Sequence, residues 1–170
     1  MKVWILFIII CLPAITGWGQ STNSTDTSFE SRKGQLPFPV DRYCKLHTYE
    51  EFLKESDKHM TSGYPNRNLT VLSDSIMDVK SSAKGVIQSV FEIDGKTAIF
   101  IKHDDYLFMY ANLDTVFVKK GDPVFSRQLI GLVNSFNNDQ LYELELFLTN
   151  KEAREIDPYP WFANSKLIKK

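Results

Sequence analysis

The sequence predicts an all-β domain, an antiparallel β-sandwich or meander preceded by one short helix. From Gly85 onward, runs dense in Val, Ile, Phe and Tyr alternate with turn signals such as Lys120-Gly121-Asp122, a pattern typical of hairpin-connected strands. Asp94-Gly95, between two apolar runs, is the strongest hairpin signal in the chain. No internal repeat and no long helical pattern competes with this interpretation. Strands are therefore expected near residues 85–93, 96–103, 106–112, 115–118, 129–134 and 141–148.

The first twenty residues have the form of a secretory signal peptide. Lys2 supplies a positive start, Val3 to Pro13 form an apolar run, and the small residues Gly17 and Gly19 precede a polar stretch, as signal peptides require. A retained membrane anchor is the alternative, but the run is well short of the roughly 18 apolar residues that a span needs. We therefore expect an exported protein with no transmembrane segment after cleavage.

Two segments separate the signal peptide from the strands. Residues 21–34 are rich in Ser, Thr, Asn and Asp with Phe29 as the one apolar side chain, so the composition predicts a disordered tether. Thr48 followed by Glu51 has the form of a capping box, which predicts a short helix near 48–60. The expected organisation is a signal peptide at 1–20, a tether at 21–34, one folded domain at 35–162 and a C-terminal tail at 163–170.

Charge and cysteine content exclude some classes of function. Lys and Arg number 20 against 21 Asp and Glu, and no basic cluster is larger than Lys119-Lys120 or Lys169-Lys170. Nucleic-acid binding requires a concentrated basic surface, so no nucleic-acid partner is expected. After signal cleavage Cys44 is the single cysteine, which excludes an internal disulfide. We expect it to be a small buried side chain.

Several segments resemble, in order, the landmarks of the lysostaphin/LytM-type zinc endopeptidases, which share the duplicated hybrid motif. The chain carries L-P-F-P-V where the family has LPWPV, and V-K-K-G-D-P-V where it has VxxGxxV. The matching segments are Leu36–Val40, Val79–Ile87, Ile101–His103, Tyr110–Leu113, Val118–Val124, Gln128–Val133, Leu141–Leu146 and Asp157–Trp161. The resemblance implies that antiparallel sheets face a groove, the family's active site.

The resemblance also implies where zinc and the catalytic histidines would sit, and the residues there have changed. The early H-x-x-x-D pair falls on Asn66 and Thr70, the late H-x-H pair on Leu141 and Glu143, and the histidine of YxHL on Asn112. A catalytic zinc needs about three protein ligands. Since only Glu143 could still bind a metal, no zinc, no other cofactor and no catalytic residue is expected, and these positions become candidate binding residues of a degenerate groove.

Glu145 joins this set because it alternates with Glu143 on one face of a predicted strand. The period of two places the two carboxylates about 7 Å apart. Paired acids could do acid/base chemistry or bind a hard cation, but Glu145 matches a framework glutamate of the family and Glu143 could simply form hydrogen bonds. His103 also matches a framework position, so a structural role is expected for it.

Three functions remain open at this stage. The first is a non-catalytic module at the bacterial cell envelope, in the periplasm or on the cell surface. It would bind peptidoglycan or an envelope protein such as an amidase, since Y-A-N-L and the P-W-F ending resemble the EnvC-type murein hydrolase activators. The second is a peptidase with a reorganised site built on Glu143, Glu145 and Asp139. The third is a structural subunit of an envelope assembly, in which Tyr159, Trp161 and Phe162 would form a docking patch unless they close the core.

Overall fold

The computed structural model describes residues 28–56 and 67–163. Within these residues, no helix is long and apolar enough to cross a bilayer. Some predicted features lie outside the described residues, namely the signal peptide at 1–20, the tether up to residue 27, the predicted helical residues 57–60, Asn66, and the tail from residue 164.

Eight antiparallel strands form the larger of two sheets. Their bounds are β1 Lys45–His47, β2 Leu69–Ser73, β4 Gly85–Ile93, β5 Lys96–His103, β6 Tyr106–Leu113, β8 Pro123–Val124, β10 Tyr142–Thr149 and β11 Glu155–Ile156. The order across the sheet is β1-β2-β10-β6-β5-β4-β8, and β11 pairs with the end of β10. Strands from both halves of the chain therefore lie side by side, and β10 sits between β2 and β6.

A second, smaller sheet packs against the first. It contains β3 Met77–Lys80, β7 Thr115–Val116 and β9 Leu129–Val133, in the order β3-β9-β7. Val79 and Ile130 of this sheet belong to the same buried cluster as Ile101 and Leu146 of the large sheet. One core therefore joins the two sheets, and the predicted all-β, antiparallel fold is confirmed.

The six strands predicted from the sequence all form, with ends that differ by at most two residues. In the β4–β5 hairpin, Ile93 pairs with Lys96, and the turn residues Asp94 and Gly95 have φ of 51° and 78°. Two consecutive positive φ values define the hairpin turn that an Asp-Gly pair favours. Strands β1, β2, β3, β8 and β11 were not predicted.

The short helix α1, Tyr49–Ser56, begins where the capping box predicts it. The backbone N–H of Glu51 donates to Thr48 Oγ1 at 3.3 Å, and the backbone N–H of Thr48 donates to Glu51 Oε2 at 3.1 Å. These two bonds satisfy backbone donors that the first turn of a helix leaves without partners. The described part of the helix ends at Ser56.

The prediction of a disordered tether is wrong for residues 28–34. Phe29 is only 4% exposed, and its ring stacks on His103 and Trp161 with centroids 4.9 and 5.0 Å apart. Its backbone N–H also donates to Asp104 Oδ2 at 2.6 Å. Burial of this large aromatic ring and the hydrogen bond from the Gly34 backbone N–H to the Trp161 carbonyl oxygen attach the segment to the domain.

Of the two alternatives for the C-terminal aromatic residues, a docking patch or closure of the core, the structure supports closure of the core for two of the three. Trp161 and Phe162 are 4% and 5% exposed, whereas Tyr159 is 37% exposed. The Trp161 ring packs against Phe29 and Tyr106, and the Phe162 ring packs against Phe38 and Phe108. Large aromatic rings gain most from burial, so these two close the core.

Cys44 is exposed rather than buried, which corrects the prediction for it. It precedes β1, the edge strand of the large sheet, where no further strand is paired within the described residues. Its Sγ donates to the carbonyl oxygen of Leu72 at 3.3 Å.

Candidate functional site

The large sheet has one buried face and one half-exposed face, and side chains of β10 point alternately to the two faces. Leu144, Leu146 and Leu148 are fully buried in the core. The residues that alternate with them, Glu143 and Glu145 among them, are of intermediate exposure. Because side chains alternate along a strand, the two glutamates lie together on the half-exposed face, which we call the outer face.

Strand register brings Thr70 to the same place. Thr70 on β2 is the Cα partner of Glu145 on β10, and Glu145 is in turn the partner of Ala111 on β6. Directly paired residues in antiparallel strands point to the same side and lie about 5 Å apart. Thr70 and the two glutamates are therefore assembled on the outer face. Asn112 follows Ala111 with a left-handed φ of 67°.

Glu143 is engaged in the structure of the loop that precedes β10. The amide Nδ2 of Asn137 donates to Glu143 Oε2 at 2.7 Å. Asn137 Oδ1 accepts the backbone N–H groups of Asp139 and Leu141 at 2.9 and 3.0 Å. The Glu143 carboxylate thus holds the amide that organises residues 137–141, and Asn137 was not identified as a site residue from the sequence.

Glu145 lies in a less polar environment. Partial burial is the main influence that raises the pKa of its carboxyl group, and the negative charge of Glu143 raises it further. Both effects disfavour the ionised form. A cation bound between the two carboxylates would relieve the repulsion.

The residues that the resemblance matches to the family's zinc ligands do not fit the metal. Zinc sites in proteins use thiolate, imidazole and carboxylate ligands, whereas the matched ligand positions in the described residues offer the hydroxyl of Thr70 and the carboxylate of Glu143. The positions matched to the assisting histidines carry the amide of Asn112 and the alkyl side chain of Leu141. In the described part of the chain, no group of three or more His, Cys, Asp or Glu side chains is placed to hold a metal ion. Asn66, the remaining matched position, is outside that part. No catalytic step through zinc follows from this donor set.

Two histidines in the described residues have different positions. His103, at the end of β5, is 2% exposed and faces the core, where its Nδ1 lies 2.6 Å from the carbonyl oxygen of Lys84. His47 is exposed on edge strand β1, with Thr70 as its Cα partner. Sequence reasoning did not place His47 near Thr70, because β1 is a three-residue polar strand.

The middle of the outer face is apolar, which the sequence analysis did not predict. Phe147 on β10 pairs with Met109 on β6, and Met109 pairs with Phe100 on β5. Phe91 on β4 stacks on Phe100 with centroids 5.4 Å apart. All four side chains are of intermediate exposure, and we call them the apolar floor.

Several solved structures of other proteins share the fold of this chain. Helicobacter pylori Csd3 superposes with a TM-score of 0.57 and 20% identity, over 79% of this chain and 38% of Csd3. SpoIIQ, in its pore-forming complex with SpoIIIAH, gives a TM-score of 0.58 and 18% identity, over 77% of this chain and 92% of the matched chain. The catalytic domain of the M23 protein EnpA from Enterococcus faecalis superposes with a TM-score of 0.50 and 18% identity, over 59% of this chain and 82% of the EnpA chain. At these identities the likeness shows the fold alone, and this chain spans less than two-fifths of the length of Csd3.

Comparison with sequences identifies the family. No curated protein matches the chain as a relative. The sequence profile of peptidase family M23 matches residues 69–158, which make up more than half of the chain and include β2, the meander and β10. The chain therefore belongs to peptidase family M23, as a member of the lysostaphin/LytM type.

Proposed function

We propose that this chain is a non-catalytic member of the family that binds a protein partner or peptidoglycan at the bacterial cell envelope. The donor set at the former zinc position carries the proposal. The three matched ligand positions carry the carboxylate of Glu143, the hydroxyl of Thr70 and the amide of Asn66. Only the carboxylate is a usual zinc ligand, and it already accepts a hydrogen bond from Asn137. Without a metal to lower the pKa of a bound water, no hydroxide is available for attack at neutral pH.

Two observations support a binding role at the envelope. SpoIIQ, whose chain has the same fold, is solved in complex with the protein SpoIIIAH, so this architecture can bind a protein. The first twenty residues have the form of a signal peptide, which favours export to the periplasm or cell surface. Regulation of a separate cell-wall hydrolase such as an amidase is one way in which such binding would act.

Metal content tests the absence of a zinc enzyme. The full chain, purified after incubation with zinc and dialysis, should retain well under one zinc per chain by atomic spectroscopy. The matched control is the triple variant Asn66→His, Thr70→Asp, Glu143→His, which restores the family's ligand set and should retain about one zinc per chain. One equivalent of zinc in the unmodified chain would overturn the proposal.

Binding and hydrolysis are tested on purified sacculi and on envelope extract. The proposal expects the chain to sediment with sacculi or to recover an envelope protein in a pull-down, without releasing fragments from the sacculi. Release of fragments that a chelator abolishes would instead establish the alternative, a peptidase with a reorganised site at Glu143 and Glu145. A chain that binds neither sacculi nor any envelope protein would contradict the proposal as well.

A further inference from the structure

The outer face carries two carboxylates at one end, and Lys45 of edge strand β1, in register with Glu143 through Leu72, lies two strands away. Glu143 and Glu145 point from the same side of β10, and one oxygen of Glu143 is occupied by the Asn137 amide. The remaining carboxylate oxygens accept hydrogen bonds but donate none when ionised. A side chain that carries an ammonium or guanidinium group matches this end.

The middle of the outer face selects for apolar groups. The apolar floor consists of three aromatic rings and one thioether, which offer no strong hydrogen-bond donor or acceptor. An aliphatic or aromatic side chain gains free energy in proportion to the apolar area that it buries.

The opposite end of the face is a cavity of about 330 Å³ with basic side chains. Lys102, Leu107 and Thr149 form its floor, in register across β5, β6 and β10. Lys151 contributes a second ammonium group, while Asp105 contributes one carboxylate. Lys151 also lies 3.9 Å from the exposed carboxylate of Glu152, a separation at which an exposed pair is weak. The lining therefore carries more positive than negative charge and matches an acidic group.

Strand geometry sets the distance between the two ends. Glu145 and Thr149 are four residues apart on β10, which corresponds to about 13 Å along a strand. An extended peptide of five residues spans the same length. Because its side chains alternate in direction, the first, third and fifth would face the sheet together, over the acidic end, the apolar floor and the basic cavity.

Resting on the proposed function, we infer that the outer face binds an extended segment of a protein partner whose basic, apolar and acidic side chains follow at every second position. Such a segment would place its basic side chain over the acidic end, its apolar side chain over the apolar floor and its acidic side chain over the basic cavity. Peptidoglycan matches less well, because its acetylated glycan strands carry no ammonium group for the acidic end. The partner's segment would lie along β10, over Glu145, Phe147 and Thr149.

Synthetic peptides test the inference directly. The probe is a fluorescein-labelled peptide, Gly-Lys-Thr-Phe-Thr-Glu-Gly, titrated with the full chain and followed by fluorescence anisotropy. Glu145→Lys should weaken binding about fivefold, and replacing the probe's Lys by Glu should restore the affinity of that variant. Met109→Ser should weaken binding about tenfold through lost apolar contact.

The matched control is Glu92→Lys, an exposed charge reversal on β4 at a position that alternates with Phe91 to the other face. It should leave binding unchanged. Circular dichroism establishes that each variant is folded, and Glu145→Gln serves as the milder change if Glu145→Lys unfolds. Equal binding by the unmodified chain, Glu145→Lys and Met109→Ser, or no binding of the probe, would overturn the inference. These results would leave the proposed function intact, whereas stoichiometric zinc would overturn the proposed function itself.

Discussion

Acid should destabilise this domain through one buried side chain, His103. The ring is 2% exposed and stacks on Phe29. Its Nδ1 lies 2.6 Å from the Lys84 carbonyl oxygen, so the hydrogen-bond geometry assigns the proton of the neutral ring to Nδ1. Nε2 is then a buried acceptor with no hydrogen-bond partner among the described residues. Protonation would place a positive charge at this atom.

The size of this loss of stability follows from the difference between the pKa of His103 in the unfolded and in the folded chain. Burial lowers the pKa of His103 from 6.5 to about 4, despite the opposing effect of the hydrogen bond to Lys84. The unfolded chain therefore takes up a proton near pH 6.5, while the folded chain does so only near pH 4. Stability is fully present above pH 6.5, falls as the pH is lowered, and levels off below about pH 4. At about 1.36 kcal/mol per pH unit, the loss from this residue is about 3 kcal/mol.

Urea unfolding followed by tryptophan fluorescence, repeated between pH 7.5 and pH 4, measures this loss. His103→Gln keeps a donor for the Lys84 carbonyl but cannot be protonated in this range. It should be less stable at pH 7 because the stacked ring is lost, and its free energy of unfolding should fall less steeply with acid. The difference between the two curves should change by about 3 kcal/mol across the range. Parallel curves for the two chains would refute the reasoning.

Two further substitutions test the packing around the same residue. Phe29→Ala should lower the free energy of unfolding in urea by about 3 kcal/mol or more, because a buried ring is removed. The control Phe117→Ala, at a ring that is 53% exposed, should lower it by under about 1 kcal/mol. Equal losses would show that the N-terminal segment is not anchored by Phe29. Gly85→Ala should cost about 2 to 3 kcal/mol, since a β-carbon there would lie 2.5 Å from both His103 Nδ1 and the Lys102 carbonyl oxygen. A melting temperature unchanged by Gly85→Ala would contradict that packing.

The strands that the sequence predicts are those whose signals are local. Asp94-Gly95 imposes a turn whatever the rest of the chain does, and the dense β-branched and aromatic residues on either side then pair as a hairpin. Strand β1, Lys45–His47, carries no such signal because it has one apolar residue, and only its pairing with β2 makes it a strand. The burial of Phe29 likewise depends on Trp161, more than a hundred residues away.

The sequence predicts which residues belong to the candidate site, but it does not predict the hydrogen bonds that they form. The resemblance located Thr70, Asn112 and Glu143 near one another, and strand register brings the first and last of these to one face. The hydrogen bond from Asn137 to Glu143 depends on how a surface loop folds back, and no spacing rule predicts it. The apolar floor was missed because residues such as Met109 looked like core in strands expected to be buried on both sides.

The N-terminal segment is attached to the domain by a short parallel contact with the C-terminal segment. The backbone N–H groups of Gly34 and Leu36 both donate to the Trp161 carbonyl oxygen, and that of Ala163 donates to the Leu36 carbonyl oxygen. A tension that arrives along the N-terminal chain would therefore load these bonds in shear. Phe29, which lies nearer the N-terminus and packs against His103 at the end of β5, would be loaded before them. The N-terminal chain therefore has two successive points of attachment to the domain.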